Sequence, residues 1–392
     1  MAGRTKNAFN MGPPPAYKVD DEDTLAPRWY DVKRWGKKVW IAVATIIAIV
    51  IIIIVVGVVE GEKKNKYPDY TKLSYSLTDT ISGTSFFDEF DYFSGYDPSA
   101  GLVHYVDSTV AKQYNLTYAS SSTAIMRVDT SVTADTVPNA STGRFSVRIT
   151  SKKQYSVGNL FVFDVVHTPI GCGTWPALWL SDPANWPTNG EIDLMENVNV
   201  VSSAANQMTL HTSSGCSMGV KRKETGKQLT TSCVNTTDGN AGCGVSGSAT
   251  SFGSGFNSAG GGAMAMELRT EGIRIWQFAR ASIPSDITGG SPDPSSWGEA
   301  TADFPNTDCN INNHFRNQSI IANIDLCGSW AGTASVYAES CKCTPLLPFE
   351  MERRLIVTVI GSGTCANQVA NNATAFTDAY WEFGKFSVYS AS

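Results

Sequence analysis

The sequence lacks an excess of charge of either sign. Its 30 basic and 36 acidic residues leave a net charge of −6. No Lys/Arg cluster is interleaved with aromatics, so nucleic acid is not an expected partner. Metal-binding patterns are missing too. Cys341 and Cys343, separated by a single residue, match no standard zinc spacing. Asp88, Glu89 and Asp91 in "FFDEFDYF" lack the ligand spacing of an EF-hand. "GSGFNSAGGG" has the glycines of a phosphate loop without its lysine. No metal or cofactor is expected. "GCSMG", residues 215–219, fits a G-x-S-x-G nucleophile elbow, but the following "VKRKETGKQ" has no amphipathic helical period, which the elbow requires. No long helical period occurs anywhere after Tyr75, and no cysteine precedes Cys172.

One long apolar run is present. "VWIAVATIIAIVIIIIVVGVV", Val39–Val59, is 21 residues without a charge, enough to span a bilayer core of roughly 30 Å. A buried core helix would not carry such charged flanks, and a cleaved signal peptide would have a shorter apolar region and a shorter leader. The run reads as an uncleaved signal anchor in a lipid bilayer. Flanking charge favours an inside N-terminus only weakly. Cysteines and glycosylation sequons decide better. All nine cysteines follow the span, as do the N-x-S/T sites at Asn115, Asn139, Asn235, Asn317 and Asn372. Both chemistries belong to the secretory lumen. The expectation is a single-pass type II membrane protein with a large lumenal or extracellular domain. Its parts are a disordered cytoplasmic tail (1–38), the anchor (39–59), a charged stalk (60–74) and a domain from 75 to 392. An odd cysteine count leaves at least one thiol without an internal partner.

Beyond Tyr75 the texture is strands and turns. Phe145, Val147 and Ile149 alternate with other residues, as do Met264, Met266 and Leu268, then Ile273 and Ile275, then Leu355, Val357 and Val359, and finally Phe386 and Val388. Such runs between Gly, Ser, Asn and Pro clusters predict an all-β antiparallel sandwich or barrel. No apolar tail follows the last run, so a glycolipid anchor is not expected.

The chemistry concentrates in "NGEIDLMENVN", Asn189–Asn199. In a regular strand Glu191 and Asp193 share a face and Glu196 takes the other. A β-bulge between Asp193 and Glu196 would bring all three acids to one face and turn Ile192 and Leu194 to the core. Crowded acids cannot all ionise cheaply, so at least one holds a proton near neutral pH. Two carboxylates roughly 5–5.5 Å apart are what a retaining glycosidase uses. This makes Glu191 the nucleophile, Glu196 the acid/base and Asp193 a residue that tunes Glu191. The bland alternative is an exposed strand with three solvated acids. Trp175, Trp179 and Trp186 stand close by, and indole faces stack on the apolar side of sugar rings. Trp175 is the one expected in the core.

The same stretch resembles the signature of glycoside hydrolase family 16, E-[ILV]-D-x-x-E in its bulge-containing form. It is similar in particular to fungal laminarinases, the endo-β-1,3(4)-glucanases. "FVFDVVHTPIGCGTWPALW", "MTLHTSSGC", "TDGNAGCGV", "FPNTDCNI", "LCGSWAG" and "YWEFGKFSVY" resemble further blocks in order. The resemblance covers residues 75–389. It implies a β-jelly-roll with a concave cleft, a retaining double displacement on β-1,3- or mixed β-1,3/1,4-glucan of the cell wall, and a monomer without a cofactor. It implies sugar-stacking roles for Trp179 and Trp186, a cleft position for His211, and further cleft positions for Trp297 and Glu267. Ala263 and Met264 depart from an aromatic pair expected on the cleft wall. The stretch 344–364, which contains Leu355–Val359, is an insertion relative to the family pattern. The rivals are a wall-glucan transglycosylase with the same site, in which a sugar hydroxyl replaces water, and a non-catalytic glucan-binding protein.

Overall fold

The computed structural model describes residues 32–131, 143–341 and 363–392. The chain divides after Gly61 into two compact units. The first carries most of the helix Lys37–Asn65, which is 29 residues long with no buried position and ends a few residues past that division. It is long and apolar enough to cross a membrane. The helix extends past the apolar run on both sides, because Lys and Glu propagate a helix well.

In the second unit two eight-stranded antiparallel sheets face each other. The first, the cleft sheet, runs in spatial order Lys227–Gln228, Cys243–Ser246, Gln207–His211, Glu191–Glu196, Thr174–Ser181, Gln318–Leu326, Arg148–Tyr155, Phe90–Tyr92. The second, the back sheet, runs Ala302–Pro305, Gly272–Ala279, Gly262–Arg269, Asn159–His167, Tyr380–Ala391, Ala124–Arg127, Thr117–Ala119, with Tyr75–Ile81 also paired to Tyr380–Ala391. The jelly-roll sandwich expected from the sequence is present.

The core between the sheets is built by strand alternation. Phe161, Phe163 and Val165 point inward from the back sheet, and Leu178, Leu180, Ile192, Leu194, Ile320 and Ile324 from the cleft sheet. Each buried side chain of this size contributes roughly 1.5–3 kcal/mol. Phe145, Val147 and Ile149, Met264, Met266 and Leu268, Ile273 and Ile275, and Phe386 and Val388 all lie in this core. Leu355–Val359, Asn139 and Cys343 fall outside the described residues.

The back sheet is covered on its outer face as well. Leu160, Val162, Ala265 and Trp276 form a second cluster there with Ile287 and Ala300, flanked by Phe278, Ile283 and Trp297. Every residue of Gly262–Arg269 is therefore buried. Ala263 and Met264 belong to this doubly covered strand, not to a cleft wall, which is why no aromatic pair is needed.

The segment that follows the helix is fastened to the back sheet. The Tyr70 hydroxyl donates to Asp303 Oδ1 (3.3 Å). Arg269 donates to the Thr71 carbonyl (3.0 Å), and Lys72 pairs with Asp293 (2.7 Å). The Arg274 guanidinium lies 4.2 Å from the centre of the Tyr70 ring. A side chain at Gly272 would begin 2.0 Å from the Tyr70 hydroxyl, so glycine is what admits the tyrosine.

Four disulfides join Cys172–Cys341, Cys216–Cys309, Cys233–Cys243 and Cys327–Cys365. Cys216 of "GCSMG" is thus a structural half-cystine, and no helix follows it. "GSGFNSAGGG" forms the short helix Ser254–Ser258, with Phe256 in the core.

Candidate active site

The strand Glu191–Glu196 lies between Thr174–Ser181 and Gln207–His211. Its register against both neighbours breaks between Asp193 and Glu196. Asp193 stands opposite Trp179 and Thr209, while Glu196 stands opposite Ala177 and Gln207. Leu194 and Met195 occupy the interval where regular alternation leaves room for one residue. Both turn to the core with Ile192, and Glu191, Asp193 and Glu196 all line one cleft of about 760 Å³. Gly190 opens the strand with φ 70°, where a Cβ would lie 2.4 Å from the His314 carbonyl. Only glycine fits this entry.

Each glutamate receives one indole N–H. Trp186 Nε1 donates to Glu191 Oε2 (2.6 Å). Trp175 Nε1 donates to Glu196 Oε1 (2.7 Å). Burial, and then the charge of Asp193, raise both carboxyls above their ordinary range, Glu196 further than Glu191. The indole bonds pull the other way, since they favour the charged forms.

His211 Nε2 stands 3.4 Å from Asp193 Oδ2, and His211 Nδ1 is 3.1 Å from Asn240 Oδ1. Both ring nitrogens thus face oxygen acceptors. Burial opposes a charge on the ring, but the bond to Asp193 and the charges of Glu191, Asp193 and Glu196 outweigh it and raise its pKa well above the usual histidine value. The imidazolium satisfies both contacts. Asp193 faces His211, and among the described residues no hydrogen bond joins it to Glu191. Donor atoms of Glu191, Asp193 and His211 lie within 4.8 Å of one another, a spacing a cation could use. The ion pair already balances charge there.

The floor beyond the acids belongs to Trp179. Its Nε1 donates to Asn323 Oδ1 (2.8 Å), and the Arg148 guanidinium lies 5.0 Å from its ring centre and 5.2 Å from that of Phe93. Trp175 and Trp330 meet edge to face at 5.7 Å and both line the cleft. The expectation of a core role for Trp175 is corrected: its ring is held at the surface by Glu196.

Residues 90–389 match the family model described as XgeA-like, catalytic GH16 domain. The chain belongs to glycoside hydrolase family 16. Relatives in this family include a "probable glycosidase" of Schizosaccharomyces pombe, 43% identical over 83% of this chain and 72% of its own length. A "probable endo-1,3(4)-beta-glucanase" of Aspergillus fumigatus is 39% identical over 81% of this chain. The match spans less than half of that protein's length, 45%. Among solved family 16 structures, Laminarinase 16A from Phanerochaete chrysosporium, with β-glucans "in both donor and acceptor sites", is 40% identical with a TM-score of 0.71, covering 81% of this chain and 99% of its own. An "elongating GH family 16 beta-1,3-glucosyltransferase" is 36% identical with a TM-score of 0.69, over 81% of this chain and 100% of its own.

The family 16 cleft gathers Glu191, Asp193, Glu196, Trp179, Trp186 and His211 as expected, and leaves out two residues. Glu267 sits in the back sheet, 1% exposed. It is bound by Arg269 (3.3 Å), Arg274 and the Tyr75 hydroxyl (2.7 Å). It is a structural ion-pair partner. Trp297 packs on Trp276 and Phe278 (5.2 and 5.6 Å between ring centres) and donates to Asp286 Oδ2 (2.8 Å). It covers the outer face of the back sheet. Cleft residues that sequence reading passed over are Arg148, Asn240, Asn323, Asp325 and Trp330. Asn323 and Asp325 had a signal: in "IIANIDL" they alternate with Ile and Leu along one strand.

Proposed function

We propose that this chain is a membrane-anchored, retaining endo-β-glucanase of the laminarinase type. Its substrate is β-1,3- or mixed β-1,3/1,4-glucan of the cell wall. The observation that carries the reading is the bulged strand, with three acids on one face and an indole N–H on each glutamate. The names of the relatives and of the laminarinase neighbour support the substrate class.

In the proposed reaction a Glu191 oxygen attacks the anomeric carbon while the glycosidic C–O bond breaks. Glu196 gives its proton to the departing sugar oxygen. A water then attacks the same carbon, passes a proton to Glu196 and displaces Glu191 as carboxylate. The imidazolium of His211 offsets the charge of Asp193, so Asp193 raises the glutamates without forbidding ionisation of both. Trp179 and Trp186 offer faces for sugar rings, with Trp175 and Trp330 extending that surface. The helix holds residues 62–392 at a membrane, on the lumenal or extracellular side where the disulfides and sequons belong. One polypeptide suffices for the site.

A second reading is supported by the elongating glucosyltransferase neighbour. There a sugar hydroxyl replaces the water, and the product is a longer chain. The full-length protein in detergent, given a β-1,3-glucan oligomer of fixed length, separates the two. Only shorter products mean hydrolysis, and early longer products mean transfer. Glu191→Gln should lower either rate on the order of a thousandfold or more while folding is retained. Wild-type turnover in that variant would sink the assignment.

A further inference from the structure

The cleft holds a second acid pair that the reaction does not use. Asp325 is the penultimate residue of the strand Gln318–Leu326 and is 2% exposed. Its Oδ1 accepts the Leu326 amide (2.6 Å). Its Oδ2 is buried and meets no donor. Backbone closes around the carboxyl. A Cβ at Gly101 would fall 1.7 Å from Oδ1, and one at Gly328 would fall 2.7 Å from Oδ2.

Another carboxyl, Asp97, meets the same glycine: its Oδ2 accepts the Gly101 amide, so the two acids flank Gly101 and act on each other by charge and by a side-chain hydrogen bond. Asp97 Oδ2 accepts the amides of Ser99 (2.6 Å) and Gly101 (3.2 Å) and so shapes the loop between them. That loop is joined to the sheet: Ser329 N–H donates to the Ser99 carbonyl (2.9 Å) and Leu102 N–H to the Leu326 carbonyl (2.7 Å). Asp97, Ser99, Asp325, Ser329 and Trp330 all face the cleft.

With Asp325 enclosed in this way and Asp97 half-buried beside it, two charges would repel each other and leave Oδ2 without a partner. A proton on Oδ2 removes both faults, because the acid then donates to Asp97. We propose that Asp325 and Asp97 share a single proton, and that this proton holds the 97–101 loop in place as the glucan-binding wall beside Trp175 and Trp330. Asp325 is then a positioning residue for substrate. The role rests on the glucanase reading; the shared proton does not.

The surrounding groups agree. Burial, then the charge of Asp97, hold Asp325 well above the carboxylate range. Arg148 acts in the opposite sense. Tyr105 is kept neutral by burial first, and a charge on either acid pushes it the same way. The Trp175 strand and the Gly328–Ala331 helix bring no titratable group to the pair.

The sign follows from linkage. In the unfolded chain Asp325 ionises near the ordinary aspartate value of about 3.9, and in the folded protein only at higher pH. It therefore costs stability progressively as pH rises through that window, and an amide in its place does not. The first measurement is the melting temperature of full-length wild type and Asp325→Asn across pH. The difference, variant minus wild type, should grow as pH rises. A difference that stays flat overturns the shared proton, whatever the enzyme turns over.

The second measurement is kinetic, on a β-1,3-glucan oligomer. In wild type KM should climb about tenfold on the alkaline side, with kcat governed separately by the glutamates. Asp325→Asn, a mimic of the protonated acid, should keep the low-pH KM and abolish the climb. Asp325→Ala should raise KM at every pH. A climb that persists in Asp325→Asn overturns the positioning role. No turnover by wild type on any β-glucan refutes the glucanase reading instead, and the melting series still decides the proton.

Discussion

Two indole N–H groups bias the protonation of the two glutamates, and they do so independently. Trp175 bonds only Glu196 and Trp186 only Glu191. Each bond favours the charged carboxylate, so each deletion should raise one pKa. The proposed roles turn this into a test on kcat/KM against pH. Trp175→Phe should move the alkaline limb upward, because Glu196 would keep its proton longer. Trp186→Phe should move the acid limb upward, because Glu191 would ionise later. Loss of a charge-assisted bond of this kind costs about 1.5–3 kcal/mol, so each displaced limb should be readily measured. If the two variants move the opposite limbs, the nucleophile and acid are exchanged. At this scale the sequence was legible where acids cluster. It misled at Glu267, which sits in an apolar alternating strand like a cleft residue but is neutralised by Arg269 and Arg274. Which side of a back-sheet strand a glutamate faces depends on pairing across the chain, and local spacing does not contain it.

At the scale of the element, the bulge decides the chemistry. Without it, Glu196 would fall on the core face with Leu194. Deleting Met195 restores regular alternation, with Glu191, Asp193 and Glu196 still on the cleft face and Glu196 still opposite Gln207, so it removes the bulge and one core side chain without moving an acid to the other face. The expected outcome is a lowered melting temperature, read by calorimetry, because a core side chain is lost, together with a reduced kcat, because the local twist that aims the Glu196 carboxyl changes with the bulge. A folded variant with wild-type turnover would mean that the bulge is dispensable. This feature was readable from the spacing of two and three between the acids. The indole contacts were not. Trp175 carries the same residue type as a core tryptophan, and only its register opposite Asp325, one strand from Glu196, places its N–H on the acid. Trp297 was misplaced for a related reason: the loop that carries it folds over the outer face of the back sheet, and nothing in a loop's composition says which sheet it will cover.

Over the whole molecule, the jelly-roll was legible because alternation with turns leaves few other packings for so many short strands. The fastening of residues 67–73 was not, since a charged stretch after an apolar helix reads as solvated chain. In the structure Tyr70 lies against Arg274 and bonds Asp303 of the back sheet, and Lys72 pairs with Asp293 of an adjoining loop. A protein beginning at Glu62 should therefore be more stable than one beginning at Tyr75. The shorter form leaves Arg274 without the Tyr70 ring and Arg269 without the Thr71 carbonyl. Truncations compared by urea melts should differ by a few kcal/mol, the scale of several lost buried polar contacts. Equal midpoints would make the segment a passive tether. The disulfides carry a different consequence. Cys341 is bound to Cys172 and Cys365 to Cys327, so both ends of the stretch between Cys341 and Cys365 are tied to the strand-bearing body. A single cut anywhere inside that stretch leaves one covalent molecule. The tail that carries Tyr380–Ala391, a strand in the middle of the back sheet, stays leashed by Cys365 until a reductant parts it. A nicked population would thus pass as intact on a non-reducing gel and separate into two bands only after thiol treatment.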